Sequence, residues 1–182
     1  MELTLSQKER MLLEDQKKHE QLCIEKYNNY ASLAKDSQLK QIFTANGQAE
    51  RTHLDSINQM LNGTIPQMNQ QNQGQNQGQN QGQGQNPNMG TQGAMNQGQN
   101  MVNQSNMGNG GTQPGGMNVS DSELCTDMLM TEKYVSGAYN TSIFEFRDTG
   151  ARDVLNHIQK EEQKHGEAIF QYMESKGMYN VK

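Results

Sequence analysis

From Thr64 to Asn118 the chain runs for 55 residues without a single Asp, Glu, Lys or Arg, built mostly from Gln, Asn, Gly and Met. Such a composition cannot bury enough apolar surface to offset the entropy of ordering it, so residues 64–118 read as a disordered low-complexity linker. That leaves 127 of the 182 residues, in two stretches, 1–63 and 119–182, which hold all 35 charged side chains. Together they make at most one compact domain.

Both stretches are punctuated alike. Ser6-x-x-Glu9 and Ser120-x-x-Glu123 are capping boxes, each able to open a helix by satisfying orphan amides. Gly63 and Gly177 stand where a left-handed cap would close one. Interruptions at Lys35-Asp36-Ser37 and Asp148-Thr149-Gly150 split each stretch into two. Four helices are expected, over roughly 5–34, 37–62, 121–147 and 150–176. The fold class is therefore all-α: a four-helix bundle of two helical hairpins, 1–63 and 119–182, packed as one domain.

Apolar periodicity gives each helix a seam. In the fourth helix it runs Ala151, Leu155, Ile158, Glu162, His165, Ile169, Tyr172, and in the second Leu39, Phe43, Asn46, Glu50, His53, Ile57, Met60. The first offers Leu13, Glu20, Ile24, Tyr27, Ala31, Ala34, and the third Cys125, Met128, Glu132, Val135, Tyr139, Ile143, Phe146. Every seam carries a carboxylate midway. An ionised carboxylate in a dry seam costs several kcal/mol unless its charge is compensated.

The polar residues themselves repeat. Glu20 with Tyr27, and Glu50 with His53, recur 112 positions later as Glu132 with Tyr139, and Glu162 with His165. One Glu-x-x-His pair would mean little in an acidic chain, but only these two of the four histidines have that glutamate, and both follow a Glu-x6-Tyr element by 30 residues. Two glutamates and two Glu-x-x-His units on four helices are what a bundle uses to hold two metal ions. Glu50 and Glu162 would bridge, Glu20 and Glu132 would each bind one ion, and His53 and His165 would each give a nitrogen. Mixed carboxylate and imidazole ligation suits iron or manganese. Tyr27 and Tyr139 would hydrogen-bond and orient the ligands, with ordinary core packing as the alternative. Closed, such a site only stabilises the bundle; open, it supports dioxygen or peroxide chemistry as in a ferroxidase or manganese catalase. Pairing of the glutamates with the histidines and Lys26 or Lys133 is the metal-free alternative. No residue is assigned a catalytic role.

Heights agree with convergence. Glu20 and Glu50 are centred on residue 35, and Glu132 and Glu162 on residue 147, both at expected turns. Each carboxylate therefore lies about 22 Å from its turn. The linker, with a flexible reach of roughly 41 Å, fits a full-length crossover between the second and third helices and would also allow a short connection.

Composition excludes other roles. The net charge of −5 comes with no basic tract, which argues against nucleic acid as a partner. Neither a secretory signal nor an apolar run of about 20 residues is present, so membrane insertion is not expected and synthesis without a signal peptide is. Cys23 and Cys125 are too few and too far apart for a disulfide framework and read as reduced, half-buried thiols, with one bridge across the bundle after oxidation as the alternative.

The runs LLEDQKKHEQLCIEKYNNYASLAKD, LCTDMLMTEKYVSGAYN and RDVLNHIQKEEQKHGEAIFQYMESKGMY, which include Gln159 to Glu167, resemble the spore coat protein F family, the coat F domain of endospore-forming Firmicutes. The resemblance extends over both hairpins. It implies a ferritin-like bundle, synthesis in the sporulating mother cell, deposition in the spore coat, other coat proteins as partners, and homo-oligomers as an option. The linker is longer here than in compact members. Its methionines at 89, 95, 101 and 107 read as repeat expansion in a spacer, and its glutamines suit self-association or cross-linking. The expected function is a ferritin-like coat component retaining a dinuclear metal site, with a di-iron or di-manganese oxidoreductase as the alternative.

Overall fold

The computed structural model describes residues 2–67 and 119–179. The linker expectation falls almost wholly on residues 68–118 and lies outside them. Four helices form, α1 (Gln7–Leu33), α2 (Ser37–Leu61), α3 (Asp121–Glu145) and α4 (Thr149–Ser175), each bound within two residues of its expected position. Among the described residues there is no strand beyond an isolated antiparallel bridge between Glu2 and Thr64.

The ends follow from local chemistry. Ser6 and Ser120 make complete capping boxes with Glu9 and Glu123, while Asp36 and Asp148 accept from the first-turn amides of Gln38 and Ala151. Gly63 and Gly177 adopt φ of 81° and 69°. Each closes its hairpin with the paired bonds of a Schellman motif: Thr64 N to Gln59 O and Gly63 N to Met60 O, then Met178 N to Met173 O and Gly177 N to Glu174 O.

Each helix packs on two others, α1 on α2 and α3, and α4 on α2 and α3. At one end the Asp121 carboxylate accepts from the amides of Lys35 and Asp36 at 2.8 and 2.9 Å, and Lys176 pairs with Asp36. At the other, Lys8 pairs with Glu145, and Glu9 accepts from the Arg147 amide at 2.9 Å. α1 and α3 are therefore antiparallel, which makes α2 parallel to α3. Thr64 thus lies at the second end and Val119 at the first. The linker's reach left the choice between crossover and short connection open; these end contacts put its two anchor points, Thr64 and Val119, at opposite ends of the bundle.

At two seam positions a neighbouring residue is buried in place of the expected one, and a third, Ala31, is only partly covered. On α1 Cys23 is buried where Ile24 was expected, and on α3 Ser142 where Ile143 was; both isoleucines are only partly covered. The seam follows alternating three- and four-residue steps through Leu13, Gln16, Glu20, Cys23 and Tyr27, the spacing that keeps a stripe facing its neighbours along a bundle. Gln16, buried on that line, donates to the Ser142 hydroxyl across the bundle at 2.9 Å.

Candidate metal centre

All six expected ligands meet at mid-height. Ligand atoms of Glu20, Glu50, His53 and Glu162 lie within 4.8 Å of one another, as do those of Glu50, Glu132, Glu162 and His165. Glu50 and Glu162 belong to both groups. Each turns one oxygen toward each imidazole: His53 Nδ1 is 3.2 Å from Glu50 Oε2 and 3.1 Å from Glu162 Oε1, while His165 Nδ1 is 3.1 Å from Glu50 Oε1 and 3.7 Å from Glu162 Oε2. Glu20 Oε2 stands 3.6 Å from His53 Nδ1 and Glu132 Oε2 3.9 Å from His165 Nδ1.

Protons alone do not satisfy this arrangement. The single hydrogen on each Nδ1 is aimed at Glu50. Despite its closeness to His53, Glu162 accepts no hydrogen bond at either oxygen, and Glu20 Oε2 and Glu132 Oε2 are likewise buried without a donor. Four orphaned carboxylate oxygens facing two imidazoles fit a pair of divalent cations well, with four negative charges against four positive.

Without metal the cluster neutralises itself. Burial pushes Glu20 well above the carboxylate range, against the pull of His53 and with added repulsion from Glu162 and Glu50. Glu132 is raised by burial and then by Glu162 and Glu50. Burial also opposes ionisation of Glu50 and Glu162, but the facing His165 and His53 imidazoles outweigh it, holding Glu50 at about 2 and Glu162 below its usual value. Both imidazoles resist the lowering effect of burial because of these carboxylates: His165 rises to about 9 and His53 well above its ordinary value, with Glu161 its strongest support. Two carboxylates thus face two imidazolium ions, while Glu20 and Glu132 keep their protons.

The tyrosines reach these glutamates, but across hairpins. Tyr27 on α1 donates to Glu132 on α3, and Tyr139 on α3 donates to Glu20 on α1. Antiparallel α1 and α3 bring each phenol opposite the other helix's glutamate. Asn46 Nδ2 adds a bond to the Tyr27 hydroxyl at 3.1 Å. Lys26 pairs with Asp127 at 2.6 Å, away from the cluster. Cys23 and Cys125 are free and fully buried, and neither joins a ligand group.

Sequence reasoning missed Glu161. Its carboxylate lies 3.6 Å from His53 Nε2 and also faces His157 and Lys164. The nearby His53 imidazole, opposed by burial, holds it at about 2. A carboxylate behind a ligating imidazole fixes ring orientation and raises its basicity. The repeat gave no signal for it, since the position 112 earlier is Ala49.

One side of the cluster is approached by a cavity of about 650 Å³ between α3 and α4, whose lining includes Glu132 and Glu162.

Comparison with known proteins bears on the second hairpin. The family model described as the Coat F domain matches residues 120–182, the whole of α3 and α4. The first hairpin, over which the sequence resemblance also extends, falls outside that match. No curated protein and no solved structure matches the chain. Residues 120–182, which form α3 and α4, are thus similar to the Coat F domain of spore coat proteins.

Proposed function

We propose that the chain is a spore coat component whose helical bundle, formed by residues 1–63 and 119–182 as one domain, binds two iron or manganese ions and assembles with other coat proteins. The observation that carries the metal reading is the pair Glu50 and Glu162, each presenting one oxygen to each histidine, beside carboxylate oxygens that have no donor. Glu20 with His53 and Glu132 with His165 would complete the two positions, and Tyr27 and Tyr139 would hold the terminal glutamates in place. Bound iron or manganese supplies Lewis acidity and redox capacity at this point. The family carries the coat assignment, which takes the spore coat as the destination and other coat proteins as partners.

Metal analysis tests this reading. Reconstituted with ferrous or manganous ion, the protein should retain about two ions per chain, and Glu50→Ala combined with Glu162→Ala should retain none. Equal metal in both would remove the site from this place. A second reading, an oxidoreductase acting on ferrous ion or peroxide, is favoured by the cavity that reaches Glu132 and Glu162. Loaded protein with neither ferroxidase activity nor peroxide disproportionation would leave only the first.

A further inference from the structure

The 112-residue repeat is broken on one face. Small residues Gly137 and Gly166 line the α3–α4 cavity, whereas the corresponding positions on α1 and α2 are Glu25 and Leu54. A Cβ on Gly137 would meet nothing within 4 Å, and one on Gly166 only ordinary contacts with Leu129 Cδ1 at 3.6 Å and Glu132 Cβ at 3.8 Å. The first hairpin is drawn tight instead: Gly47 brings α2 so close to α1 that a Cβ there would lie 3.0 Å from Tyr27 Cβ. Its counterpart is Gln159, bonded to the Ser136 carbonyl at 3.0 Å. Of the six ligands, Glu132 and Glu162 border this open volume.

That volume has the character of a ligand site. About 650 Å³ falls in the range of small-molecule pockets. Leu129 and Phe170 give it apolar walls, with Tyr179 edge-on to Phe170 at 5.0 Å between ring centroids. Of the charged rim groups, Glu167 already accepts from Gln171, while the exposed Lys133 forms no ion pair among the described residues and offers a counter-charge to an anion.

We propose that this cavity binds an exogenous organic anion, its oxygen donor at the Glu132–Glu162 end and its apolar body against Leu129 and Phe170, so that only the metal position of Glu132 and His165 exchanges ligands. This rests on the metal reading above.

The test uses the full chain loaded with cobalt(II), whose visible absorption reports a change of ligand, titrated with benzoate and with acetate. Benzoate should bind about tenfold or more tighter than acetate, because its ring is buried. Gly166→Leu, which installs the residue found at the equivalent position 54, should erase that preference with cobalt content unchanged. If Gly166→Leu does not fold, Gly137→Leu fills the same volume from α3. Unaltered benzoate affinity in a filled, loaded variant would overturn the proposal, as would a doubly loaded native chain whose spectrum ignores both anions. A native chain that takes up no cobalt would overturn the metal reading and this site with it.

Discussion

Loading the metal-free bundle at pH 7 is expected to release about four protons for every two ions. Glu20 and Glu132 are raised well above the carboxylate range, so each arrives protonated; His165, at about 9, and His53, higher than its ordinary value, arrive as imidazolium ions. All four must lose that proton to ligate. Glu50, at about 2, and Glu162 are already ionised and contribute none. Each proton adds about 1.4 kcal/mol per pH unit to the pH dependence of binding, so four give about 5.5 kcal/mol per unit for the pair. Affinity should rise with pH and lose one proton's share of that slope above about 9, where His165 is neutral before metal arrives. Calorimetric titration with manganous ion in two buffers of different ionisation enthalpy counts the protons directly. A yield near two would mean that Glu20 and Glu132 are ionised in the empty core, and would refute the reasoning from a self-neutralised cluster.

Other outcomes follow from single contacts. In the metal-free protein the raised groups bind protons on folding between their unfolded and folded pKa values, so stability should fall as pH rises above about 4.5, and further from about 6.5 to about 9 for His165; the depressed Glu50 makes it fall also as pH drops from about 4.5 toward 2. Thermal melts across that range should therefore peak in mild acid, and a peak above pH 8 would contradict the assignment. Tyr27→Phe removes the donor to Glu132 and leaves the Asn46 amide facing a ring, which should cost about 1–3 kcal/mol in urea unfolding. Glu161→Ala should weaken one of the two ions about 10–100-fold and spare the other, seen as biphasic metal binding. Gly63→Ala, at φ 81°, should destabilise by about 1 kcal/mol, whereas Gly137→Ala, in open space within α3, should stabilise by about that amount.

Much of this arrangement was written in the sequence because the chain repeats. A carboxylate in mid-seam stands out on one helix; recurring on four, with Glu50 and Glu162 each 30 residues after Glu20 and Glu132, it fixed heights as well as identities. Features that break the repeat were invisible for the same reason. Glu161 has alanine as its counterpart, Asn46 has Ile158, and Gly137 and Gly166 look in sequence like weak points of helices, not the walls of a cavity. Periodicity also blurred where polar residues intrude: Gln16 and Ser142 occupy seam positions because they bond each other, which neither hydropathy nor spacing records. The direction of the tyrosine bonds depended on α1 and α3 being antiparallel, a property of tertiary packing that no local pattern along either helix contains.

Those two phenols make the site conditional on assembly. Each hairpin supplies the hydroxyl that the other hairpin's terminal glutamate needs, and each supplies one of the two shared carboxylates, so half of the chain has neither a whole site nor the means to arrange its own share. On the proposed reading, uptake of metal would work as a logical conjunction, reporting that both hairpins are present, antiparallel and in register. The same requirement is met whether the partner hairpin comes from one chain or from another copy. Mixing fragments 1–67 and 119–182, each inert toward metal, should restore loading only as they associate, turning the metal content of a preparation into a count of correctly paired halves.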